Sequence, residues 1–216
     1  ATSTKPFKEI GLDAKLNKKS DKRRLVILVV GETARSDHMS INGYDLKTNP
    51  YLEKEEIISF KKMTSCGTDT ALSVPCMFSL LDRSSYNHAE GKNMSNVLDI
   101  ISHAGVSVLW LDNNSSSKSV ADRIAFKDYR SSGQNSICNP ECRDEGMLTN
   151  LQSYIDEQDN RDVLIVLHSM GSHGPAYYKR YPEQFEVFLP VCRTNQLNEC
   201  SDEEISNAYD NTILYT

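Results

Sequence analysis

A layered α/β domain with a mostly parallel central sheet flanked by helices is the fold class this sequence predicts. Three runs of apolar, largely β-branched residues, at 25–30, 106–111 and 163–167, are continuous rather than alternating, the pattern of strands buried on both faces. Between them lie apolar stripes at helical spacing, and strands that alternate with helices build a parallel sheet covered by helices. Size agrees: 216 residues are one domain's worth of chain, long enough to bury a real core.

The elements follow in order. Residues 25–30, ended by Gly31, form the first strand and are expected at the centre of the sheet, while residues 57–60 are a shorter strand candidate. Met94, Val97, Leu98, Ile101 and Ala104 make one helical face that stops at Gly105, ahead of the strand at 106–111. Met147, Leu148, Leu151, Tyr154 and Ile155 make a second stripe before the strand at 163–167. Ser201 followed by Glu204 reads as a capping box, and Ile205, Ala208, Tyr209, Thr212 and Ile213 continue as one helical face. No Gly, Asn, Pro or basic turn closes that helix before Thr216, so the sequence is expected to be truncated at its C-terminal end, inside a structured region.

Charge divides the chain. The total of 24 Lys and Arg against 30 Asp and Glu gives a net charge of −6, which argues against a general binder of nucleic-acid backbones. Residues 1–24 hold eight basic side chains against three acids, leaving −11 on residues 25–216. The first 24 residues read as a basic linker, with a membrane-surface contact as the alternative, and residues 25–216 as the domain proper. The longest apolar run, six residues at 25–30, is far short of the roughly 20 that cross a bilayer.

Six cysteines, Cys66, Cys76, Cys138, Cys142, Cys192 and Cys200, fall into three couples separated by 10, 4 and 8 positions. Local disulfides are expected, and with them an oxidising compartment. The competing zinc reading meets a C-x3-C spacing with no second knuckle or His pair nearby.

Ligands in open parallel sheets bind beyond the carboxyl ends of the strands. Three predicted strands run into polar loops there: 31–38 with Glu32 and His38, 112–118 with Asn114 and Lys118, and 168–175 with His168 and His173. A fourth segment, 64–76, places Thr68, Asp69 and Thr70 at the start of a helix inside a cysteine-bounded loop. A hydroxyl there suits a nucleophile or an anion site near the positive helix end, although any of the three residues could instead be a plain N-cap. A threonine hydroxyl needs a base or a metal to react, and Glu32 offers one hard ligand.

The segments Gly31-Glu32-Thr33-Ala34-Arg35, Asn42-Gly43-Tyr44, Met63 to Thr68, Ser73 to Ser79 and His173 to Tyr178, in this order, resemble the periplasmic catalytic domain of the phosphoethanolamine transferases. That family modifies lipid A and includes the transferable colistin-resistance enzymes. The resemblance runs from about residue 25 to residue 216 and implies a fold similar to alkaline phosphatase and the sulfatases. It implies a parent enzyme with a transmembrane region before residue 1, a location on the periplasmic face of the bacterial inner membrane, and a monomer. By this resemblance Glu32 matches a zinc ligand and Thr70, four residues after Cys66, the metal-bound nucleophile. His173, Asn114 and Lys118 match substrate-side residues. The family's Asp-His zinc pair and a further histidine have no counterpart before Thr216.

The implied reaction carries phosphoethanolamine from phosphatidylethanolamine through phosphothreonine to lipid A or another envelope acceptor. A phosphoglycerol transferase or sulfatase-like hydrolase of the same superfamily is the alternative, and so is a non-catalytic fragment that binds head groups. The stapled Thr70 loop and the His-Gly-Pro segment speak against the first pair.

Overall fold

The computed structural model describes residues 6–18 and 21–216. Four parallel strands form the sheet: β1 (Leu25–Val30), β2 (Ser107–Asp112), β3 (Ala125–Asp128) and β4 (Val163–His168), in the spatial order β1-β4-β2-β3. Parallel pairing in register brings Val30, Asp112 and His168 to one edge, so the loops that follow β1, β2 and β4 open side by side.

The helices are α1 (Thr70–Met77), α2 (His88–Gly91), α3 (Val97–His103), α4 (Leu151–Asp156) and α5 (Asp202–Tyr215). Asn96 caps α3 reciprocally with Asp99, and Ser201 caps α5 with Glu204, as the sequence pattern at Ser201 requires. The stripe from Met147 to Ile155 divides into a 3-10 turn, Asp144–Leu148, and α4, with Asn150 in a left-handed conformation between them. Two apolar clusters fill the space beside the sheet. Trp110, Val108, Val166, Leu98 and Phe78 meet on one side, and Leu109, Ile165, Leu167, Met147 and Ile155 on the other. β2 and β4 are buried along their whole length, as their unbroken apolar sequences require.

Two expectations are corrected. β1 is not central. It lies at the margin of the sheet, its side chains from Leu25 to Val29 are 38–58% exposed, and Val30 alone of this strand joins a core cluster. An apolar run reports a demand for burial, and it does not say which neighbour meets that demand. Residues 57–60 form no strand, because no strand lies beside them to complete a ladder, and Ile58 and Phe60 stand exposed.

The basic N-terminal stretch, where described, lies along the domain. Lys8 exchanges backbone hydrogen bonds with Asn93 and Ser95, and Arg24 donates from Nε and Nη2 to Oδ2 of the buried Asp162. The cysteines pair as 66 with 76, 138 with 142, and 192 with 200. Among the described residues no helix is long and apolar enough to cross a membrane.

Candidate active site

At the carboxyl edge of the sheet one carboxylate gathers three donors. Glu32 follows β1, and its Oε2 accepts the Thr70 hydroxyl at 2.8 Å and the Asn114 amide at 3.2 Å, while its Oε1 accepts the Thr33 hydroxyl at 2.7 Å. Burial pushes the Glu32 carboxyl up. The hydrogen bonds from Thr33, Thr70 and Asn114, with His173 nearby, outweigh it and hold the group below the ordinary carboxylate range. Glu32 is therefore an ionised oxygen donor.

Each contributor is fixed from behind. Asp69 is the N-cap of α1, its carboxylate accepting Leu72 N–H at 2.9 Å, so Thr70 occupies the first helical position and its hydroxyl is free for Glu32. Thr68 is exposed. The Cys66–Cys76 bond ties the start of this loop to the far end of α1. Asn114, buried after β2, also donates to the Ser169 carbonyl at 2.9 Å, which locks it to the loop after β4.

Behind Asn114 sits a fully buried polar cluster. Asp112 Oδ2 receives Trp110 Nε1–H at 2.9 Å and lies 2.8 Å from His168 Nδ1, while Oδ1 accepts the backbone N–H groups of Asn114 and Ser116 at 3.1 Å. Burial pushes the Asp112 carboxyl up, but the bonds from His168 and Trp110 prevail and hold it below its ordinary value. The β4 loop closes onto Glu32 in the same manner. Ser172 N–H donates to the Glu32 carbonyl at 3.0 Å, and Gly171, at φ 50°, comes so near that a Cβ there would lie 3.0 Å from Glu32 N and O. Asp144 holds that loop by accepting Met170 N–H at 2.7 Å and Gly171 N–H at 2.9 Å.

Glu32, Thr70 and Asn114 thus meet. The other two sequence candidates make their hydrogen bonds elsewhere. His173 is exposed, and its Nδ1 lies 2.7 Å from the carbonyl of Gly174. Lys118, in a left-handed conformation at φ 52°, donates to the Ser115 carbonyl at 2.9 Å and borders a cavity of about 600 Å³ with Lys92 and Asp122. Neither hydrogen-bonds to Glu32 or Thr70. Two hard oxygens 2.8 Å apart, on Glu32 and Thr70, suit a zinc ion as part of a ligand set. Among the described residues no group of three or more His, Cys, Asp or Glu side chains is placed to hold a metal. Asp112, Thr33 and Tyr209 brace this centre; in the sequence they read as the first residue of the polar loop 112–118, a residue of the loop 31–38 and a position on a helical face.

The Sulfatase family pattern matches residues 24–216. The chain belongs to the Sulfatase family. This Sulfatase-family chain is 51% identical over 203 residues to phosphatidylethanolamine transferase Mcr-1 of Escherichia coli, a match that covers 90% of the chain and 38% of that protein. It therefore spans well under half the length of that curated relative. The soluble domain of lipooligosaccharide phosphoethanolamine transferase A from Neisseria meningitidis superimposes with a TM-score of 0.93 at 40% identity, covering 99% of this chain and 65% of that one. The C-terminal periplasmic domain of EcEptC from Escherichia coli, solved in complex with Zn, shares the fold at a TM-score of 0.69 and 21% identity, covering 99% of this chain and 60% of that one.

Proposed function

We propose that this chain is the first part of the catalytic domain of a zinc-dependent phosphoethanolamine transferase at the periplasmic face of the bacterial inner membrane, anchored by a preceding transmembrane region. The donor is phosphatidylethanolamine, and the acceptor is lipid A or another cell-envelope molecule. The observation that carries this reading is the Thr70 hydroxyl, at the first position of α1, donating to the ionised Glu32 carboxylate at 2.8 Å. The 51% identity to Mcr-1 supports the choice of head group.

Glu32 and Thr70 would be two of the zinc ligands, and the remainder would come from other residues of the parent protein, since a stable site takes three or four protein ligands. Bound zinc supplies a lowered hydroxyl pKa and neutralisation of phosphoryl charge. Thr70 Oγ1, its proton released to solvent, forms a bond to phosphorus, and the bond from phosphorus to the diacylglycerol oxygen breaks. Lys118 donates to a phosphoryl oxygen, Asn114, whose two amide hydrogens go to Glu32 and to the Ser169 carbonyl, orients the Glu32 carboxylate, and His173 protonates the departing oxygen. In the second half His173 takes the acceptor's proton, the acceptor oxygen bonds to phosphorus, and the bond to Thr70 Oγ1 breaks, that oxygen regaining its proton from solvent.

Mass spectrometry of the Thr70 peptide after incubation of the whole enzyme with phosphatidylethanolamine vesicles tests this reading. A phosphoethanolamine adduct on Thr70 is expected. In a parallel incubation with phosphatidylglycerol vesicles, a phosphoglycerol adduct in its place would transfer the site to another branch of the superfamily, and no adduct on Thr70 from either donor refutes the mechanism.

A further inference from the structure

The loop that carries Glu32 turns through a residue poorly suited to it. Thr33 sits at φ 55°, in the left-handed region, where a β-branched side chain is a genuine outlier. Strain of this kind persists only where the surroundings enforce it.

The enforcement comes from α5. The Tyr209 hydroxyl donates to the Thr33 carbonyl at 2.6 Å and accepts Arg35 N–H at 2.8 Å, so one oxygen bridges the backbone on both sides of Ala34. The ring is held edge-on against His38 and Tyr177, with centroids at 5.0 and 5.5 Å, and the residue is 6% exposed. Burial pushes the Tyr209 hydroxyl up to about 12, so it remains a donor throughout the working pH range. On the other side of the turn, the Thr33 hydroxyl donates to Glu32 Oε1 at 2.7 Å. Filling the core would need only the ring. The hydroxyl's two partners are both backbone groups of the Glu32 loop.

We infer that Tyr209 is a positioning residue for the reaction: by bridging the Thr33 carbonyl and the Arg35 amide it holds the left-handed turn that aims the Glu32 carboxylate at Thr70. This rests on Glu32 and Thr70 being the reaction centre.

Tyr209→Phe in the whole enzyme removes the bridge and keeps the ring. With phosphatidylethanolamine vesicles as donor and lipid A as acceptor, kcat is expected to fall roughly tenfold or more, as when support behind a metal ligand is lost. KM should stay within about twofold, because substrate contacts are untouched. Zinc affinity, read by competition with a chromophoric chelator, should weaken by a similar factor of roughly ten. Adding Thr33→Asn, which tolerates the left-handed region, should recover part of both losses. A Tyr209→Phe enzyme with kcat and zinc affinity within about twofold of the parent overturns the inference. A loss that follows thermal unfolding and is not recovered by Thr33→Asn overturns it as well. Thr70→Ala run in parallel separates the two ideas. If Thr70→Ala still transfers, the reaction centre is wrong; if it is dead while Tyr209→Phe is normal, only the role of Tyr209 falls.

Discussion

Alanine placed in turn at Asp69 and Thr70 separates helix capping from chemistry at adjacent positions. Asp69 caps α1 through Leu72 N–H at 2.9 Å, and losing such a cap costs about 1 kcal/mol. Thr70→Ala removes the 2.8 Å bond to Glu32, an interaction with a charged acceptor and so worth about 1.5–3 kcal/mol at most. Three effects reduce that figure. Glu32 keeps Thr33 and Asn114 as donors, water reaches a half-buried carboxylate, and alanine is the better helix former by roughly 0.5 kcal/mol. The net cost is again about 1 kcal/mol, so each variant should lower the midpoint of thermal unfolding by about 2–4 °C. Transfer should diverge where stability does not. Asp69→Ala should keep activity within about threefold, and Thr70→Ala should lose about 10³-fold or more. Near-UV circular dichroism gives the midpoints, and mass spectrometry of the acceptor lipid gives the transfer. Thr70→Ala with more than about a tenth of parental activity, or Asp69→Ala equally inactive at matched stability, refutes the separation of cap from nucleophile.

Non-reducing peptide mapping should return only the pairs 66 with 76, 138 with 142 and 192 with 200, and any crossed pair contradicts the structure. Replacing both Cys192 and Cys200 by serine, which opens a bridge spanning 8 positions, should lower stability by up to about 2.6 kcal/mol in urea denaturation. Gly171→Ala forces a Cβ to 3.0 Å from the Glu32 backbone at φ 50°, so it should destabilise by about 1–2 kcal/mol and depress transfer at unchanged KM. Asp112 has a folded pKa below its unfolded value of about 3.9, so its stabilisation is complete above that pH and is lost as pH falls through the folded value. Urea midpoints across this acid range should therefore fall less steeply for Asp112→Asn than for the parent protein.

Much of this was legible in the sequence, for identifiable reasons. β2 and β4 announce themselves because a strand covered on both faces has no polar face to interrupt its pattern. β3, Ala125–Asp128, is four residues with a lysine and an aspartate, and only β2 beside it makes it a strand. The disulfides follow from spacing, since each couple is near in chain as well as in space. The loops that hold Glu32 and Asn114 and the start of the helix at 68–70 could be brought to one edge because parallel topology fixes where strand ends point, while the choice of Thr70 among Thr68, Asp69 and Thr70 came from the family resemblance. Lys118 and His173 could not be oriented, because their direction depends on loop conformations such as the left-handed Lys118. Tyr209 fits its helix's apolar stripe, and nothing local records that its hydroxyl reaches a carbonyl 176 residues away.

The exposed margin formed by β1 bears on handling the protein. Among the described residues β1 pairs only with β4, so one side of its backbone carries unsatisfied amide and carbonyl groups. The strand reads Leu-Val-Ile-Leu-Val-Val, a six-residue uncharged stretch of high β propensity, with Leu25 to Val29 presented to solvent. That combination is a nucleus for cross-β association between chains. Arg23 and Arg24 sit immediately before it as charged gatekeepers, yet both are engaged, Arg23 with the carbonyls of Ile155 and Asp159 and Arg24 with Asp162. High salt, which screens the charge of those two arginines, should hasten fibril or precipitate formation by these 216 residues produced alone.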